Sequence, residues 1–137
     1  VTTHVPRRRP RFGAQGAGRG DRRMRFTVSL TENRVFQRLY NKGKRAVQGS
    51  VVLYYRRTGR QTTRLGLTVG TKIGGAVVRN RIKRRIREIY RLEEPLLKPG
   101  FDLVVVARSR AKTADYRTLE RELKKAFAAA GLYRTAD

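Results

Sequence analysis

The sequence predicts a single small α+β domain: one helix, a mixed sheet of three to four strands and two further helices, behind a basic N-terminal tail. Apolar residues recur at helical spacing in three segments, and between them β-branched and aromatic residues alternate or run together as strands do. The 137 residues, 39% of them hydrophobic, suffice for one modest core and not for two.

Residues 1–25 are rich in Arg, Gly and Pro without apolar periodicity, which predicts a disordered tail that either follows nucleic-acid phosphates or merely solubilises the chain. The domain is expected over residues 26–133, followed by a short tail at 134–137. Residues 31–40 make the first helix: Thr31 is the candidate cap, Glu32 suits the N-terminal dipole, and Val35, Phe36, Leu39 and Tyr40 form one apolar-aromatic face. Gly43 is read as its left-handed stop. Residues 45–48 offer a short extra strand. Residues 50–57 form a strand with Val52 and Tyr54 on one face and Val51, Leu53 and Tyr55 on the other. After a polar turn around Gly59, residues 64–69 alternate again with Leu65, Leu67 and Val69 inward, and are expected to pair antiparallel with the preceding strand. A long helix over Ala76–Glu93 ends at Pro95 and Pro99-Gly100. Phe101–Ala107 is the most apolar strand, hence central. A basic loop at 108–114 leads to Asp115, which caps a last helix over residues 116–130; Leu119, Leu123, Phe127 and Ala130 are its core stripe and Gly131 its stop.

Thirty-four basic residues against ten acidic ones give a net charge of +24, which a polyanion would neutralise. Arg dominates, and its planar guanidinium suits phosphate and base recognition better than a membrane tether. The chain has no Cys and a lone His, His4 in the tail, which removes thiol nucleophiles, Cys-based zinc and His-pair chemistry. No apolar run approaches the roughly 20 residues of a membrane span, and the N-terminus lacks a signal-peptide core, so a cytoplasmic protein is expected.

The functional signal is concentrated in residues 74–91, GGAVVRNRIKRRIREIYR. On a helical wheel Val78, Ile82, Ile86 and Ile89 share a core face with Tyr90 at its edge. Asn80, Arg84 and Arg87 point the other way, Arg81 and Lys83 flank them, and Arg79 and Arg85 lie near the boundaries. Like charges on neighbouring turns cost a few tenths of a kcal/mol per pair. Cations near the helix N-terminus also oppose the dipole, and phosphates along that face reverse both penalties.

Residues 66–88, GLTVGTKIGGAVVRNRIKRRIRE, resemble the signature region of the bacterial ribonuclease P protein family, whose RNR-x-KR-x-x-R motif falls on Arg79, Asn80, Arg81, Lys83, Arg84 and Arg87. The likeness extends over about residues 26–133 and includes an F-x-x-x-Y-x-x-G pattern at Phe36, Tyr40 and Gly43. It implies a ribosomal-protein-like fold with a left-handed strand–helix–strand crossover. It also implies that the RNR helix meets a catalytic RNA, and that a cleft between the first helix and the sheet receives the single-stranded 5′ leader of precursor tRNA. The cleft would hold Phe36, Tyr40 and Tyr54, with Lys42, Lys44, Arg45 and Lys72 for the phosphates. No catalytic residue is implied in this chain: magnesium ions held by the RNA supply the chemistry, the protein lowers the magnesium requirement, and no obligate protein partner is expected. The chain departs from the family pattern at Gly75, where Asn is common, and in the loop that keeps only Lys72 of a Ser-Lys-Lys run.

A structural RNA-binding protein fits the composition equally well but needs no aromatic cleft. A protein-only nuclease would need gathered carboxylates, whereas Asp102 sits in an apolar strand and Glu88, Glu93 and Glu94 read as helix charge balance. A membrane-surface helix is disfavoured by an apolar face of branched aliphatics without Trp or Phe.

Overall fold

The computed structural model describes residues 24–134. The elements are β1 (Thr27–Ser29), α1 (Asn33–Lys42), β2 (Lys44–Val47), β3 (Val51–Arg57), β4 (Thr63–Thr68), α2 (Ala76–Glu93), a 3-10 turn (Glu94–Leu96), β5 (Phe101–Ala107), a second 3-10 turn (Ser109–Lys112) and α3 (Tyr116–Ala129). They form an α+β domain around one mixed sheet of order β1-β4-β5-β3-β2. The tail at residues 1–23 and residues 135–137 lie outside the described residues.

Strand β5 is central because it is apolar on both sides; all its residues but Val106 are buried. Helices α2 and α3 pack on one sheet face, where Ile82, Ile86, Ile89, Tyr90, Leu119, Leu123 and Phe127 meet Leu53, Leu65, Leu103 and Val105. Helix α1 covers the other face alone, with Val35, Phe36 and Leu39 against Leu30 and Val104. Asp115 caps α3 as its sequence position requires, accepting from the Thr118 N–H at 2.9 Å, and Gly131 follows with a positive φ of 71°.

Several local expectations change. Strands β3 and β4 do not pair; β5 lies between them, antiparallel to β3 and parallel to β4. The turn between β3 and β4 is closed onto Gly100 instead of onto itself. Thr58 N–H donates to the Gly100 carbonyl at 2.7 Å, and the Thr63 hydroxyl accepts from Gly100 N–H at 3.0 Å. Gly100 takes φ 94°, and a Cβ there would lie 2.6 Å from the Arg60 carbonyl oxygen. Helix α1 begins one residue later than the sequence suggests: Glu32, not Thr31, occupies the cap position, without a side-chain capping bond. Gly43 is extended (φ −76°) rather than left-handed. It is needed because a Cβ would sit 2.7 Å from the Leu39 carbonyl oxygen.

The sheet also gains β1, a three-residue strand too short to be read from alternation. Its entry is fixed by a buried carboxylate, Glu94, which is 1% exposed. Glu94 accepts from Arg25 N–H at 2.5 Å, Phe26 N–H at 3.0 Å and the Thr27 hydroxyl at 2.6 Å. Arg25, assigned to the tail from sequence, is thereby tied to the domain.

Candidate nucleic-acid interface

Helix α2 presents its cations in three directions, because successive residues step round the axis by about 100° while Ile82, Ile86, Ile89 and Tyr90 fix the buried side. Asn80 and Arg84 face solvent directly. On one flank Lys83 and Arg87 turn towards the β1 edge. There they line a hollow with Val28, Leu30, Phe36 and Gly66. Burial, then repulsion from Arg79 and Arg87, holds the Lys83 ammonium below the usual lysine range. Burial likewise lowers Arg87. Arg87 is therefore not on the open face where the helical wheel set it beside Asn80 and Arg84. On the other flank Arg81 donates through Nη2 to the Lys112 carbonyl at 3.4 Å. Arg85 donates to the Ala114 carbonyl at 3.3 Å. Arg79 folds back on the helix start, donating from Nε to the Gly74 carbonyl at 3.1 Å.

A second surface lies on the opposite side of the sheet, where α1 alone cannot cover it. The Tyr40 and Tyr54 rings meet edge to face at 5.1 Å, both half-buried, with Val52 and Val106 partly exposed beside them. The Tyr40 hydroxyl is paired with Thr68 Oγ1 at 2.9 Å, and desolvation raises its pKa. Phe36 is only 2% exposed, and a Cβ on Gly66 would lie 2.5 Å from its ring. It is the packed base of the cleft, not its open wall. Arg45 stands directly opposite Tyr54 in the β2–β3 register, on the cleft side. Lys44 pairs with Tyr55 and shares the parity of buried Ala46, so alternation sends it to the α3 side. Lys42, in the last turn of α1, and Lys72, in the loop before α2, are exposed.

Beneath α1, Asp102 (2% exposed) receives two bonds of 2.8 Å from Arg64, whose Nη1 also reaches Glu32 at 3.4 Å. The bond to Asp102 raises the Arg64 pKa. Arg64, Gly66 and Thr68 were not among the residues expected at the site, although their alternation with Leu65, Leu67 and Val69 already assigns them to the α1 side.

The ribonuclease P family model matches residues 24–131. The chain belongs to the ribonuclease P protein family. Among its relatives, the ribonuclease P protein component of Caldanaerobacter subterraneus subsp. tengcongensis is 39% identical over 106 residues, covering 77% of this chain and 91% of that protein. The corresponding Clostridium botulinum component is 37% identical over 105 residues, covering 76% and 95%. Among solved structures, the Staphylococcus aureus RNase P protein superposes with TM-score 0.71 at 31% identity, covering 77% and 97% of the two chains. The Thermotoga maritima protein gives 0.65 at 32%, covering 71% and 92%. Membership makes the chain a component of the tRNA-processing ribonuclease P assembly, associated with ribonuclease P RNA. No helix among the described residues is long and apolar enough to cross a membrane.

Proposed function

We propose that the chain holds two RNAs at once: the ribonuclease P RNA through α2, and the 5′ leader of precursor tRNA through the cleft between α1 and β3. The observation that carries this reading is the placement of the cationic helix and the aromatic cleft on opposite faces of one sheet. A protein that only scaffolds RNA has no use for the second surface.

Asn80 and Arg84, with Lys83 and Arg87 beside them, contact phosphates of the RNA subunit. A phosphate beside Lys83 would favour its charged form and offset the burial and the repulsion from Arg79 and Arg87 that lower its pKa. In the cleft, Tyr40 and Tyr54 stack on unpaired bases without demanding a sequence, at about 1–3 kcal/mol per base. Phe36 supports Tyr40 from beneath, and Lys42, Arg45 and Lys72 serve the leader phosphates. Lys44, on the far side of β2, serves neither stacking residue directly.

The described residues contain no group of three or more His, Cys, Asp or Glu side chains able to hold a metal ion. The carboxylates a protein nuclease would need are already engaged: Asp102 with Arg64, Glu94 with β1, Glu93 with the Tyr133 hydroxyl, and Glu88 with Arg91. We therefore place the catalytic centre and its magnesium in the RNA. The protein's part is to screen phosphate repulsion and to tether the leader, which lowers the magnesium concentration the RNA needs.

The test mixes the chain with a bacterial ribonuclease P RNA and precursor tRNA at magnesium concentrations where that RNA alone is nearly inactive. Cleavage should require both components. The protein should also bind precursor tRNA more tightly than leaderless tRNA within the complex. Equal binding of the two would remove the leader role, and cleavage by protein alone would move the chemistry into this chain.

A further inference from the structure

The loop between β5 and α3 carries Arg108, Arg110 and Lys112, all exposed. None of them takes part in an ion pair within 4 Å among the described residues. The loop is not slack. Ala111, 1% exposed, anchors its 3-10 turn in the core. Arg108 N–H donates to the Ser50 carbonyl at 2.8 Å, and Ala111 and Ala114 N–H close the turn on Arg108 and Arg110 at 2.8 and 3.0 Å. The Arg108 guanidinium crosses to the Gln48 carbonyl at 2.7 Å. Together Gly49, Arg108, Ser109 and Arg110 line an open polar hollow. The nearby carboxylate, Glu122, accepts from the Ser50 N–H at 2.7 Å and from the Ser50 hydroxyl. Against its burial, these bonds and the charges of Arg121 and Arg110 hold its pKa below the usual range, with no Arg110–Glu122 ion pair within 4 Å.

Topology sets this loop beside α2. Strands β4 and β5 are parallel neighbours, so the Lys72 loop, the first turn of α2 and the 108–114 loop all lie at the carboxyl ends of these strands, where open α/β sheets bind ligands. The loop is also held directly to α2, by Arg81 through the Lys112 carbonyl and by Arg85 through the Ala114 carbonyl. Two cations of α2 are thus committed to backbone carbonyls of a segment that itself offers three more. Arg81 Nε is buried with no hydrogen-bond partner among the described residues, as expected of a side chain packed onto the loop instead of reaching into solvent.

We propose that Arg108, Arg110 and Lys112 form a second phosphate-contacting element for the ribonuclease P RNA, continuous with α2, and that Arg81 is a positioning residue that docks this loop. The proposal rests on α2 being the RNA-subunit helix. A fixed backbone offering exposed cations outside any ion pair lowers the ordering cost of binding. Removing one phosphate-binding cation should lower the salt slope of binding by about one unit.

The experiment measures binding of the full-length chain to ribonuclease P RNA over a range of salt. Three variants are compared with the parent: Arg108→Ala/Arg110→Ala/Lys112→Ala, Arg110→Ala/Lys112→Ala, and Asn80→Ala/Arg84→Ala. The triple loop variant should bind at least about tenfold more weakly with a salt slope lower by about two to three, while its affinity for a leader oligonucleotide is unchanged. If the triple variant melts early, the double variant, which keeps the Arg108 bond to Gln48, decides. Parent-like affinity and slope in the loop variants, beside a weakened Asn80/Arg84 variant, would overturn the loop proposal alone. No effect from the Asn80/Arg84 variant either would show that the reading of α2 had failed first. Arg81→Met should cost affinity in the parent but add nothing in the triple loop variant; fully additive losses would instead make Arg81 a direct RNA contact.

Discussion

The two faces of the sheet leave different surfaces outside, and the difference follows from how completely each is covered. On one face α2 and α3 together seal the core, so Ile82, Ile86 and Tyr90 are at most 1% exposed. What remains outside is the polar circumference of α2, which is cationic on three sides. On the other face the ten-residue α1 is too short to cover β3 and β5, and Tyr40, Tyr54, Val52 and Val106 stay half-open. A sealed face offers charge on a helix; an incompletely sealed face offers aromatic surface. The first kind of binding should be steeply salt-dependent and the second much less so.

Several substitutions would break or sharpen that contrast. The largest effect is expected from Lys83→Ala/Arg84→Ala/Arg87→Ala, which removes three charged phosphate donors from α2. Losses of about 1.5–3 kcal/mol for each charged hydrogen bond would weaken RNA-subunit binding by more than about a hundredfold. Leader-oligonucleotide affinity should hold, and filter binding to both RNAs checks the separation. Next is Asp102→Ala, which leaves Arg64 without its buried partner beneath α1. Arg64 is 21% exposed, so the cost should fall near the lower end of the range for a broken buried pair, about 3 kcal/mol in a denaturant melt. Gly66→Ala pushes a methyl against the Phe36 ring and should displace α1 from the sheet, at about 1–3 kcal/mol. It should damage leader binding while leaving RNA-subunit binding nearly intact; equal damage to both would mean the faces are not independent.

Tyr40→Ala should cost about 1–3 kcal/mol of leader affinity, measured by fluorescence anisotropy within the holoenzyme, with little change in salt slope. Tyr40→Phe, which loses only the hydroxyl bond to Thr68, should cost less. The smallest effect concerns the α3 cap. Hydrogen bonds from Thr118 hold the Asp115 carboxyl below the usual carboxylate range. Because its folded pKa is depressed, its stabilisation is present above the unfolded value of about 4 and is lost as pH falls through the folded one. Asp115→Ala should lower the melting temperature at neutral pH and flatten that acid-side fall, with neither RNA affinity altered.

Features set by neighbouring residues in the chain were legible in the sequence. Helix α2 could be bounded at Ala76 and Glu93 because its apolar period and its terminal Pro residues are contiguous signals. Tyr54 and Arg45 fall on one face by simple alternation. Arg87 and Lys44 were misplaced for a shared reason: an axis or a strand gives direction only relative to its own element. What lies in that direction depends on a neighbour distant in sequence, β1 for Arg87 and α3 for Lys44.

By itself, then, the sequence determined the helices, the apolar strand that must be central, the charge that demands a polyanion and the motif that marks the family. These depend on composition and on periodicities of a few residues, which local sterics and burial impose. Only the tertiary structure decided that β5 separates β3 from β4, that Glu94 anchors β1, and that Arg81 and Arg85 grip the 108–114 loop. Those interactions join residues 29 to 69 positions apart or set the order of strands. They are chosen by the competition of all segments for one core, which no local stretch encodes.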